Sequence, residues 1–295
     1  MAFVCSESVT AAAFGPLFCV PFSRPSPVLG CRFVTAGGYV FDEAWHAERA
    51  RLGSLEAALD PGTMRHLSDL GVATGWRCLE VGAGAGSIAW WLADRVAPDG
   101  SVLAVDLQTV LLERLAHPSL EVRRHDVVAE PLPTGEFDLV HARWVLHWPA
   151  ERTTAIGHMV EALRPGGLLL AEEPDFGSLF DGLPDPLRAV VIAALDALEE
   201  LSGGMNCRYG RRLYSDLAAA GLIDLGVEGR AHLIRGANDG SGAAWLRLTV
   251  EKVRDRLIAN GIAEVQLHEA LGLLDDPSFN APSALTIAVW GRRPD

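Results

Sequence analysis

The chain reads as an α/β protein: a doubly wound, mostly parallel sheet with a helical cap. Three observations predict this. Short apolar runs alternate with helical patterns between residues 77 and 173, the rhythm of a parallel sheet with helices on both faces. A glycine-rich loop, LEVGAGAGS (79–87), follows the first apolar run. A final alternating run, ALTIAVWGR (284–292), comes only after a long helical excursion. With 295 residues, 49% of them hydrophobic, the chain can bury a sizeable core. Its net charge of −13 argues against a nucleic-acid surface.

Residues 1–36 carry Pro16, Pro21, Pro25 and Pro27 and no periodicity. They read as a loosely ordered extension or an over-long start-site assignment. Residues 9–22 faintly resemble a signal-peptide core, but no Lys or Arg precedes them and two prolines interrupt them, so that reading is rejected. No apolar stretch reaches the ~18–20 residues that span a bilayer. The five cysteines are sparse and form no CxxC pair. A reduced, cytoplasmic chain with neither metal site nor disulfide framework is expected.

Residues 37–71 read as an N-terminal helical cap. Asp42 can cap a first helix carrying Trp45, Leu52, Leu55 and Leu59. Asp60-Pro61-Gly62 is expected to break it, with Pro61 opening a second helix that ends near Gly71. The core, 72–177, contains strands at 77–82, 101–107, 120–127, 137–143 and 167–173. Helices are expected at 87–96, 110–116 and 153–163, the last ending at Arg164-Pro165-Gly166-Gly167. Residues 178–295 hold cap helices and the last two of seven strands, 227–236 and 284–292. The cap helices fall at 186–201, 243–259 and 263–274, with a shorter helix ending at Ala220.

In such a sheet a ligand sits beyond the carboxyl ends of the strands, so the glycine loop marks the site. Three ligands compete. An ATP-type phosphate loop needs a lysine after its last glycine, and none follows Gly86. A dinucleotide fingerprint needs GxGxxG, but the spacing here is GxGxG with Ser87 in the final place. S-adenosylmethionine carries a sulfonium and an ammonium and no phosphate. Glu80, beside the loop, attracts that cofactor and repels a pyrophosphate. A carboxylate bonded to nearby backbone N–H groups is the plainer reading of Glu80.

An ordered series of motifs resembles the class I S-adenosylmethionine-dependent methyltransferases, which have a Rossmann-like fold. LEVGAGAGS is similar to their first motif, Asp106 to the residue that holds the ribose, and HDV (125–127) to the adenine-binding end of strand three. FDLVHARWVLHW (137–148) and LRPGGLLLAEE (163–173) resemble the fourth- and fifth-strand motifs. The flanks 39–63 and 274–294 resemble a bacterial subgroup that methylates small molecules. The resemblance implies cofactor contacts from Tyr39, Glu80, Gly82, Ala83, Gly84, Gly86, Asp106, Leu107, Asp126, Val127, His141 and Arg143. For Tyr39, a packing role stands beside this one. It also implies a small-molecule methyl acceptor, with O, N or C as the accepting atom, and no nucleic-acid or membrane partner. A homodimer is compatible with it. The alternatives are an NAD(P)-dependent oxidoreductase and a non-catalytic cofactor-binding subunit.

Methyl transfer needs orientation above all, and a base only where the nucleophile must lose a proton. His141 and His147 follow strand four and are the candidate catalytic residues; His141 bonded to a carbonyl is the alternative. Arg143 can anchor the cofactor or a substrate anion, or pair with Asp138 or Glu172. Glu172 and Glu173 can orient a substrate cation or a histidine, or simply cap a loop. Trp144 and Trp148 shape an apolar pocket. The other histidines, His46, His66, His117, His125, His158, His232 and His268, lack metal-ligand spacing and read as surface or core residues.

Asp106→Ala is expected to weaken S-adenosylmethionine binding by at least ~1.5 kcal/mol, the loss of a charge-assisted two-point contact. Calorimetry checks this, and unchanged affinity would remove Asp106 from the site.

Overall fold

The computed structural model describes residues 39–42, 45–237 and 239–295. The N-terminal extension expected at 1–36 lies outside the described residues.

Near-continuous apolar runs make the central strands buried on both faces. They are β1 (Arg77–Val81), β2 (Ser101–Asp106), β4 (Phe137–Arg143) and β5 (Leu163–Asp175), with the more exposed β3 (Leu120–Arg124) at the sheet edge. The chain adds β6 (Ile223–Arg230), β7 (Leu233–Arg235), β8 (Asn280–Pro282) and β9 (Leu285–Arg292). The main sheet has seven strands in the order β3-β2-β1-β4-β5-β9-β6. The first five run parallel, and β9 runs antiparallel to both β5 and β6. The strand order reverses at β1, between β2 and β4, which puts the ligand crevice at the carboxyl end of β1.

The helices are α1 (Glu48–Asp69), α2 (Ser87–Val96), α3 (Arg152–Ala162), α4 (Asp185–Ser202), α5 (Gly210–Ala219), α6 (Ala243–Lys252), α7 (Arg254–Ala259) and α8 (Glu264–Leu273). One sheet face packs Cys78, Leu139 and Leu168 against Leu67 of α1 and Leu92 of α2. The other packs Leu79, Val140 and Leu169 against Met159 of α3 and Leu213 of α5. A separate apolar cluster joins α4, α6, α7 and α8 with Phe41, Phe176 and Ile234.

Four expected elements change. α1 runs unbroken through Pro61. A proline removes one backbone donor, the bond to Ala57, and the residues beyond it are fixed by the sheet. Thr63 donates to Glu172 at 2.5 Å, and a Cβ at Gly62 would collide with the Arg230 guanidinium. The helix expected at 110–116 is only a 3-10 turn, Leu112–Arg114. So short a segment cannot hold an α-helix by itself, and its leucines instead pack beneath the glycine loop. The strand expected at 227–236 splits because its partner β9 begins at Leu285, so pairing ends at Arg230↔Thr286. The chain then pairs as β7 with β8 in a second, two-stranded sheet. The helix expected at 243–259 divides at Val253 into α6 and α7.

Pro61→Ala restores the missing donor and is expected to raise stability by up to about 3 kcal/mol in urea unfolding. A loss of stability would show that the rigid proline sets the path of α1.

Candidate active site

Alternate residues of a strand share a face, and paired residues on neighbouring strands share it too. Glu80 pairs with His141, and Arg143 with Glu172. The α1 face of the sheet is therefore apolar at Cys78, Leu139 and Leu168 and charged further along the strands, at Glu80, His141 and Glu172. His141 is fully buried, with Nδ1 2.6 Å from Glu80 Oε2 and Nε2 3.5 Å from Glu172 Oε2. Burial by itself would lower the His141 imidazole, but the two carboxylates outweigh it and push it up to about 9. Burial would likewise raise Glu172. The neighbouring His141 and His66 imidazoles outweigh it and hold the carboxyl well below the usual range. Glu172 also receives Arg230 and the Thr63 hydroxyl. His66 continues the row to Glu228 at 3.0 Å.

Arg143 pairs with neither expected carboxylate. Its Nη2 donates to Asp60 at 2.8 Å and its Nη1 to the Thr63 hydroxyl at 3.0 Å, both on α1. Asp138 lies at the other end of β4, bonded to the Arg77 backbone and to Arg164. The uninterrupted α1 brings Asp60 and Thr63 together, which a break at Pro61 would have separated.

Beyond the strands lies a cavity of about 450 Å³. Tyr39, Gly82, Gly84, Asp106, Leu107, Asp126, Val127, Arg143 and His147 line it. Gly82 has a φ of +68°, and a Cβ there would strike Val145. Only glycine therefore keeps this floor open. Asp106 accepts from the Gly84 N–H at 2.9 Å and the Gln108 N–H at 3.1 Å. Asp126 Oδ1 accepts from the Val128 and Ala129 N–H groups. At the N-terminus of α2, where a pyrophosphate would dock, the Ser87 N–H already donates to Glu56 and the Ser87 hydroxyl to Asp60. Tyr39 stands edge-on to Trp148, with ring centres 5.0 Å apart. Burial pushes the Tyr39 phenol up, with Arg51 opposing.

The turn after β4 is built around Glu173, which is fully buried on the face opposite Glu172. Trp144 adopts a φ of +59°, rare for a bulky residue and costing ~1–3 kcal/mol. The twist aims three successive N–H groups at one carboxylate. Val145 and Leu146 donate to Glu173 Oε1 at 2.9 and 2.7 Å, and His147 to Oε2 at 3.2 Å. His147 Nδ1 lies 2.8 Å from the same Oε2. Among the described residues, His147 Nε2 makes no hydrogen bond. Glu173 thus both orients a histidine and fixes the turn.

Of the predicted site residues, Glu80, Ala83, Gly86 and His141 lie behind the cavity wall, outside its lining. His141 is enclosed by carboxylates, without access to a bound acceptor. Sequence reasoning missed Arg51, His125, Trp245 and Thr249 in the lining. Arg51 forms a two-point pair with Glu48 at 2.7 and 2.6 Å; the i,i+3 spacing of Glu48 and Arg51 was the available signal. Among the described residues, no His, Cys, Asp and Glu group is arranged to hold a metal, and no helix is long and apolar enough to cross a membrane.

The strand order and the glycine loop at the switch point define a class I methyltransferase fold. Residues 79–171 match the methyltransferase-domain family. Methyltransferase str3 of Strobilurus tenacellus is 38% identical over 109 residues, covering 36% of this chain and 38% of that protein. Trans-aconitate 2-methyltransferase of Methylobacterium radiotolerans is 29% identical over 177 residues, covering 58% of this chain and 66% of that protein. A phosphoethanolamine N-methyltransferase structure from Haemonchus contortus, with phosphomonomethylethanolamine and S-adenosylhomocysteine bound, shares the fold. Its TM-score is 0.53 at 17% identity, over 80% of this chain and 53% of that one. The chain spans less than two thirds of the length of these two relatives in sequence. Residues 79–171 thus match a methyltransferase domain, and the fold around them is one shared with S-adenosylmethionine-dependent methyltransferases.

His141 gains a proton on folding because its value rises from 6.5 to about 9. Its contribution to stability is full below about pH 6.5 and lost as pH rises through about 9, at a slope of about 1.4 kcal/mol per pH unit. Urea unfolding between pH 6 and 10 checks this. His141→Asn should flatten that part of the curve, and an unaltered slope would contradict the ion row.

Proposed function

We propose that this chain transfers a methyl group from S-adenosylmethionine to a hydroxyl oxygen of a small molecule, with His147 as general base. One observation carries this reading: Glu173 binds His147 Nδ1 while Nε2 is left without a partner in the cavity lining. A carboxylate on Nδ1 holds that proton in place and leaves Nε2 the acceptor.

The residues present fit an adenosyl amino acid. The Gly82 floor has no room for a Cβ, and Asp106 lines the cavity at the end of β2, where a carboxylate suits ribose hydroxyls. Asp126 Oδ2 has no partner among the described residues and suits an adenine amino group. At the α2 terminus the Ser87 N–H and hydroxyl are already taken by Glu56 and Asp60, two carboxylates that would repel a pyrophosphate. This disfavours a nicotinamide dinucleotide. Bound here, S-adenosylmethionine supplies an electrophilic methyl on sulfur.

The chain's own part is orientation and proton removal. Trp144, Trp148 and Phe176 exclude water from the acceptor end. His147 Nε2 takes the hydroxyl proton as the oxygen gains its methyl, and Glu173 stabilises the imidazolium. Glu80, His141 and Glu172 act at a distance, holding β1, β4 and α1 in register. Tyr39 and Arg143 close the cofactor side.

His147→Asn is expected to lower kcat by about a hundredfold or more, the worth of a positioned base, with S-adenosylhomocysteine affinity kept. The assay is release of S-adenosylhomocysteine over a panel of phenols, alcohols, amines and carbon acids. Turnover confined to amines, or an undiminished His147→Asn enzyme, would contradict the reading.

A further inference from the structure

The acceptor end of the cavity holds two polar groups that the protein itself does not use. Trp245 and Thr249 lie one turn apart on α6, so they share a helix face. Both line the cavity and both are buried, at 8% and 5% exposure. Trp245 Nε1 and Thr249 Oγ1 are buried without a hydrogen-bond partner among the described residues. A buried donor left unpaired is destabilising, so such a pair on two residues that line a cavity points to a ligand. The neighbouring indole differs: Trp144 Nε1 donates to the Thr286 hydroxyl at 3.4 Å.

The surroundings define the ligand. Phe176 and Trp245 lie parallel, with ring centres 6.0 Å apart and planes at 6°. Trp144 stands edge-on to both, at 5.4 and 5.3 Å. The His147 ring is 6.2 Å from Trp144 and 6.4 Å from Phe176. The walls between His147 and Trp245 are thus aromatic. No charge is available there: Glu173 is taken up by four donors, and Arg143 by Asp60 and Thr63. Glu151, also in the lining, is exposed. An indole N–H only donates, so the ligand must offer an acceptor atom to Trp245.

We infer that the methyl acceptor is a neutral aromatic hydroxy-carbonyl compound. Its hydroxyl meets His147, and its carbonyl oxygen accepts from Trp245 Nε1 and the Thr249 hydroxyl. This rests on the proposed methyl transfer, and the experiment separates the two.

The probes are hydroxyaryl ketones and matched analogues with CH2 in place of C=O. Binding to the enzyme–S-adenosylhomocysteine complex is measured by calorimetry, and turnover by S-adenosylhomocysteine release. The ketone should be preferred by about tenfold or more, the discrimination expected of a buried donor that the analogue leaves unpaired. In Trp245→Phe and Thr249→Val, which keep the packing, that preference should fall towards unity, chiefly through KM. Retained S-adenosylhomocysteine affinity shows that each variant is folded. Equal treatment of ketone and analogue by the wild type, or a preference that survives both substitutions, overturns the inference. Ketone binding with the expected preference but without turnover supports it and overturns the role of His147. Failure to bind S-adenosylhomocysteine at all overturns both.

Discussion

A carboxylate taken fully out of water must be surrounded by donors, and the end of β5 places two of them back to back. Successive residues of a strand face opposite ways, so Glu172 and Glu173 cannot serve the same neighbours. Glu172 gathers Thr63, His66, His141 and Arg230, joining α1, β4 and β6 across one face. Glu173 gathers three backbone N–H groups and His147 on the other. The first fixes the wall behind the cavity, and the second fixes the turn that forms its floor. Removing one partner from such a group exposes the full penalty of an unpaired buried charge.

The same division separates the two histidines. His141 lies between carboxylates on both sides and stays protonated, so it is a structural cation. His147 has a carboxylate on one side only and a cavity on the other. Strand geometry decides which can act on a ligand. The distance in sequence between them does not.

Much of this was legible in the sequence. The strand rhythm, the glycine loop, Asp106 and Asp126 follow from local patterns, and the structure brings them to one crevice. Helix boundaries were less legible because tertiary contacts override local signals. Pro61 reads as a breaker, yet α1 continues because Thr63 and His66 are tied to the sheet. The run at 227–236 reads as one strand, yet it divides beside the first residues of β9, where pairing stops at Thr286. For Arg143 the sequence offers the cofactor, a substrate anion, Asp138 or Glu172, while the partner it meets, Asp60, comes from α1. Trp245 and Thr249 carry no motif. Their meaning appears only when α6 is laid over the cavity.

The central claim is that Glu173 holds the His147 proton on Nδ1 and leaves Nε2 free to accept another. Nitrogen-15 NMR of the histidine side chains, with His147 assigned through a His147→Asn control, reads this directly. The account predicts a neutral His147 protonated at Nδ1, with that preference lost in Glu173→Gln. A neutral His147 carrying its proton on Nε2 in the unaltered protein would contradict it.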